Sequence, residues 1–170
     1  MRPFVYGAVI GVVLSGGCTT SAGVGPDKSE TPLAHGAISV VRLSPGPDPL
    51  ASYSGLSGET RVVIRESEKW SEIWAAIWSI QSAIPPLPAI DFTREMVIVV
   101  GMGTRPSGGH SIRVESATQR PGEIEVILRA ESPGPSCMTT GALTQSVDAA
   151  RIPRSAEPVR FTVRESVVGC

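Results

Sequence analysis

The sequence predicts a mainly β, or α+β, domain in which about six or seven mostly antiparallel strands form a sandwich-like sheet with one amphipathic Trp-rich helix packed on it. Three observations carry that prediction. Between Glu59 and Glu165 several short runs place an apolar residue at every second position. One segment, Ser67 to Gln81, changes to a period near 3.6 and holds all 3 tryptophans. The runs are separated by stretches drawn from 18 glycines and 15 prolines, and with no asparagine in the chain glycine must supply the turns that need positive φ.

Taken in order, Ile38 to Leu43 reads as a first short strand, followed by the soft stretch "SPGPDPLASYSGLSG" from Ser44 to Gly58. "TRVVIRE" reads as the next strand. Ser67 is then a fair N-cap for "EKWSEIWAAIWSIQ", with Glu68 in the first turn where the helix dipole favours a negative charge. At about 100° per residue, Trp70, Ile73, Trp74, Ile77, Trp78 and Ile80 share one arc, as a core-facing stripe does. Pro85, Pro86 and Pro88 are expected to stop the helix and extend the connector. "MVIVV", 96 to 100, is apolar without alternation, as in a central strand covered on both faces. "HSIRVES" turns Ile112 and Val114 inward, and "EIEVILRA" does the same with Ile124, Val126 and Leu128. "QRPGE" between them is a turn with Pro121 and Gly122 at its corners. A weaker strand, about Gln145 to Ile152, precedes "VRFTVRE", whose Val159, Phe161 and Val163 face inward.

At 170 residues the chain suits a single ordinary domain behind a leader. Arg2, the apolar run Phe4 to Leu14 and the small residues Ser15-Gly16-Gly17 read as a signal peptide over 1–17, too short for a membrane span. Cys18 directly after them resembles the acylated first residue of a bacterial lipoprotein, against the plainer reading of a cleaved signal peptide with an incidental cysteine. Lipid on Cys18 would give an extracytoplasmic, membrane-anchored protein of the cell envelope, and Thr19 after it resembles outer-membrane sorting if the envelope has two membranes. Residues 18–36, rich in Gly, Ser, Thr and Pro, read as a flexible tether, and 37–170 as the domain. Loss of Arg2 with the leader leaves 14 basic against 16 acidic groups, not the basic excess of a nucleic-acid binder.

The stretch "GMGTRPSGGHSIRV" invites a phosphate-loop reading and fails it. A Walker loop needs Lys-Ser/Thr after its last glycine, where this chain has His110-Ser111, and the dinucleotide fingerprint needs a third glycine where Pro106 stands. No nucleotide or other cofactor is expected. Thr104, Arg105, Pro106, Ser107, Gly108, Gly109 and His110 read instead as the tip of a hairpin joining "MVIVV" to "HSIRV". Its glycines would serve backbone shape, and its polar groups would either meet a partner or simply be solvated. His35 and His110 are the only histidines, and neither lies at metal-ligand spacing from a carboxylate. "PSGGHS" is not a nucleophile elbow, so no catalytic residue is assigned. If the strands 123–131, 145–152 and 158–165 run up, down and up, Cys137 and Cys170 emerge at one end of the sheet. An oxidising compartment would let them pair; the alternative is two free thiols.

"ESEKWSEIWAAIW", "PPLPAIDFTREMVIVVGMGTRPSGGHSIRVES" and "IPRSAEPVRFTV" together resemble the C-terminal domain of the PrcB protease-complex-subunit family over about residues 55–165. The family pattern of a Trp-bearing helix, Pro-x-Val/Ile-Asp-Phe, an apolar strand and Gly-x-Arg-x-Ser/Thr-Gly-Gly-Tyr falls here on Trp70 and Trp74, on Pro88, Ile90, Asp91 and Phe92, and on Gly103, Arg105, Gly108 and Gly109. His110 replaces the usual Tyr, and "TQSV" stands where relatives often have Thr-Gln-Pro-Tyr. The resemblance implies a non-enzymatic accessory lipoprotein that stabilises or docks a protein partner, such as a secreted or surface protease. Two alternatives stay open: a chagasin-like β-sandwich protease inhibitor, and an enzyme whose site the sequence does not reveal.

Overall fold

The computed structural model describes residues 36–44 and 48–170. The expected leader 1–17, the anchor candidate Cys18, and the expected tether as far as His35 lie outside them. The described chain forms β1 (Ala37–Ile38), β2 (Val41–Arg42), β3 (Glu59–Ile64), α1 (Ser67–Ile77), β4 (Glu95–Met102), β5 (Ser111–Arg120), β6 (Glu123–Pro133), β7 (Val147–Pro153) and β8 (Val159–Val168). These strands make two four-stranded sheets, one in the order β1-β5-β6-β8 and the other β2-β7-β4-β3. All neighbours are antiparallel except β6 and β8, which are parallel.

The layering follows from the side-chain periods. In β4 the residues Met96, Ile98, Val100 and Met102 face Ile112, Val114, Ile124, Val126 and Leu128 of the other sheet, forming the core between the sheets. Val97 and Val99, on the opposite face, pack with Ile64 and with Trp70, Trp74 and Ile77 of α1. A strand buried on both faces has no polar face to show, which is why "MVIVV" does not alternate. In β5 the register shifts between Val114 and Ser116, so the inward position passes to Ala117. The remaining face of the β1-β5-β6-β8 sheet is charged, with rungs such as Arg129–Glu115 at 3.1 Å and Arg160–Glu123 at 2.9 Å.

Several expectations are corrected. The expected strand from Ile38 to Leu43 is two short ones: the chain pairs with β5 at Ala37–Ile38, then crosses to pair with β7 at Val41–Arg42. Ser67 is not the N-cap, because β3 ends at Ile64 and the non-helical residue is Glu66, with φ −138°, whose side chain makes no capping bond. Nor do the prolines stop the helix. It ends at Ile77, and the chain turns at Trp78 with Ser79 Oγ donating to the Ala76 carbonyl at 3.0 Å. Ile80, beyond that turn, leaves the apolar stripe and is 57% exposed.

The segment Thr104–His110 is not a hairpin tip. β4 and β5 belong to different sheets, so these residues carry the chain across the sandwich. Strand β7 likewise lies in the sheet opposite β6 and β8, which lets the chain return to set β8 parallel to β6. Cys137 after β6 and Cys170 after β8 are then at one end, where the structure joins them as a disulfide with Cα atoms 5.5 Å apart. It ties the end of an edge strand to the loop that follows β6, across 33 positions of sequence. Reduction, or Cys170→Ser, is expected to lower unfolding free energy by about 2–4 kcal/mol in urea denaturation.

Candidate functional site

The connector Gly103–His110 is held as firmly as a strand. Thr104 donates its backbone N–H and its hydroxyl to the Ser57 carbonyl, at 2.9 and 3.2 Å. Arg105 and Thr144 exchange backbone hydrogen bonds of 2.8 and 3.0 Å, and the buried Thr144 hydroxyl donates to the Ser107 carbonyl at 2.7 Å. Gly109 has φ +83°, a conformation that any Cβ would strain. Gly108 is less constrained: a Cβ there would meet Thr140 Oγ1 at 2.5 Å, but that hydroxyl belongs to an exposed side chain that can turn away. Backbone shape therefore requires glycine at Gly109, whereas Gly108 tolerates a Cβ once Thr140 moves.

What this rigid path positions is Arg105. It lines a cleft of about 360 Å³ between the edges of the two sheets, whose walls are Glu59 and Arg61 of β3 on one side and Val163 and Glu165 of β8 on the other. Met102, Ile112 and Ala130, where the sheets part, also line it. Glu59 serves two cations: Arg61 at 3.4 Å and Arg105 at 3.8 Å. The Arg105 Nε is buried and has no hydrogen-bond partner among the described residues. An unmet donor of this kind carries a desolvation cost of about 1–3 kcal/mol, while the exposed part of the same side chain faces the cleft.

Of the predicted site residues, Arg105 alone enters the cleft lining, while Thr104, Pro106 and Gly109 are exposed and Ser107, Gly108 and His110 are half-buried. Glu59, Arg61 and Glu165 were not singled out by sequence, since nothing local links positions so far apart. The His110 ring meets the Ser132 hydroxyl at 3.1 Å, not Ser107 or Ser111. Burial first, and then the positive charge of Arg105, hold its pKa below the usual histidine value. The unfolded chain thus binds this proton more readily, so the group's contribution to stability is present above about pH 6.5 and is lost as pH falls through the folded pKa. NMR titration is expected to give His110 a midpoint below that of a free histidine, and Arg105→Gln to raise it. An ordinary midpoint in the unaltered protein would contradict the burial seen here.

Among the described residues no group of three or more His, Cys, Asp and Glu side chains could hold a metal ion. No curated protein and no solved structure matches the chain. Residues 96–153, from β4 through the connector to the end of β7, match the family model described as PrcB C-terminal. The match is narrower than the 55–165 resemblance and leaves α1 and the Pro88–Phe92 segment outside it; over 96–153 the chain is similar to the PrcB C-terminal family.

Proposed function

We propose that this chain is a non-enzymatic accessory protein that docks a protein partner, with a secreted or surface protease as the partner class, and that lipid on Cys18 holds it in the cell envelope. One observation carries the docking reading. Inside the family-matched segment, a hydrogen-bonded connector holds Arg105 in an open cleft with its side chain 36% exposed, which is an arrangement for recognition. Ser132 also lines the cleft and its hydroxyl meets the His110 ring, but no carboxylate among the described residues bonds that ring, so the pair lacks the orienting acid of a hydrolytic triad and the pocket suits binding better than turnover.

The test is co-purification of the tagged protein from its native envelope. A specific protein, expected to be a protease, should accompany the unaltered chain and be depleted about tenfold, or about 1.4 kcal/mol, with Arg105→Ala at unchanged thermal midpoint. Inhibition of a cysteine protease by the purified protein would instead favour the inhibitor reading. Mass spectrometry showing unmodified Cys18, or cleavage elsewhere, would remove the lipid anchor.

A further inference from the structure

The two walls of the cleft are strand edges, and the backbone groups they present can be identified. Val147 exchanges hydrogen bonds of 3.1 and 2.8 Å with Ala51, so its N–H and C=O point away from β4. Its register partner Gly101 must therefore turn towards β3 and pair with Thr60. Alternation then sends the N–H and C=O of Arg61 and Val63 to the outer edge of β3. In β8, the bonds from Ile124 N–H to the Pro158 carbonyl and from Gly134 N–H to the Val168 carbonyl, both 2.9 Å, point even-numbered groups at β6. The odd-numbered groups of Val163, Glu165 and Val167 face the free edge, and no hydrogen bond joins them to another described residue.

Such an edge takes up another strand unless something blocks it. Arg160 and Arg164 of β8 turn to the charged face of the sheet, where they pair with Glu123 and Glu115. The end of β8, Ser166–Val168, has no charge, and Val167 is 71% exposed. The β3 wall carries two cations on one carboxylate, while the β8 wall carries Glu165. A strand lying there would meet a positive side and a negative side, and a carboxylate on it would pair with the Arg105 guanidinium, whose side chain is 36% exposed.

We propose that the free edge of β8, from Val163 to Val167, takes up an extended segment of the partner protein as an added strand, seated in the cleft with an acidic side chain on Arg105. This rests on the docking reading above and supplies its mode: backbone hydrogen bonds for affinity, and alternate side chains for specificity. The probe is a displayed library of extended peptides the length of β8, 10 residues. Selected peptides are expected to protect the Val163, Glu165 and Val167 amides from hydrogen exchange. Glu165→Pro removes an N–H that β6 does not use, so the domain should fold and bind about tenfold more weakly, whereas Glu165→Ala keeps the N–H and should retain most binding. Should Glu165→Pro fail to fold, Val167→Pro makes the same test.

Absence of any selected peptide, protection at other amides, or equal binding by both proline variants would overturn the proposal. So would self-association abolished by Glu165→Pro, which would make the occupant a second copy. In the co-purification, a partner lost with Arg105→Ala but kept with both proline variants would sink strand addition and leave docking standing. No partner with the unaltered chain would sink docking itself.

Discussion

Asp148→Ala is expected to lower unfolding free energy by about 3–5 kcal/mol, the loss typical of a buried ion pair deprived of one member. Asp148 is completely buried near the start of β7. Its two oxygens accept from Arg42 Nε and Nη2, both at 2.9 Å, so the side chain binds β2. The same carboxylate accepts the Val114 backbone N–H at 3.0 Å, and Ser146 two residues earlier accepts the Ile112 N–H at 3.2 Å. β1 pairs with β5 only at Ala117 and Thr118, so at Ile112–Val114 the edge of β5 away from β6 has no strand beside it. Two side chains of β7 take the place of that strand and join the sheets.

Each replacement at Asp148 removes a different part. Asp148→Asn keeps an oxygen for Val114 but loses the charge opposite Arg42, and should cost less than alanine. The double variant Arg42→Met/Asp148→Leu removes both charges and can recover much of the electrostatic loss. It still leaves the Val114 N–H unmet, at about 1–3 kcal/mol, so recovery should be incomplete. Urea denaturation of the three variants checks this order. A loss under about 1 kcal/mol for Asp148→Ala would mean that water reaches Val114 and the sheets are held otherwise.

This carboxylate also marks where the sequence stops being legible. β4, β5, β6 and β8 are readable because each needs only its own alternation, or lack of it, to declare a face. "SVDAAR" reads weakly as a strand because a charge at its centre looks exposed, while the arginine that neutralises it is 106 positions away. The connector misleads for a similar reason. Glycines between two apolar runs look the same whether the strands pair with each other or join different sheets, and only the pairing of β4 with β7 and of β5 with β6 decides. After Val114 the bulge reverses the phase of β5, so simple alternation would place Ser116 and Ala117 on the wrong faces. The cleft is the least readable feature, since it exists only where the edges of β3 and β8 come together.

Trp70→Ala is expected to cost about 3–5 kcal/mol, in the range for truncating a buried aromatic ring. Trp70 is 1% exposed, lies 5.2 Å from the Trp74 ring, and fills the layer between α1 and Ile64, Val97 and Val99. Its indole N–H donates to the Pro88 carbonyl at 3.1 Å, and that of Trp74 donates to the Pro85 carbonyl at 2.9 Å. The connector's prolines have no N–H to offer, so its carbonyls need donors from outside, and the tryptophans of the helix supply them. Trp70→Phe keeps part of the packing but loses that bond and leaves a void beside the smaller ring, so a cost of about 1–3 kcal/mol, below that of alanine, is expected. Ile80→Ala is the comparison that separates structure from sequence period. On a helix reaching Gln81 it would share the buried stripe and cost about 2–5 kcal/mol, whereas on a helix ending at Ile77 it should stay within about 0.5 kcal/mol. Comparable losses at Trp70 and Ile80 in urea denaturation would mean that the helix continues past Trp78 and that the turn at Ser79 is not how α1 ends.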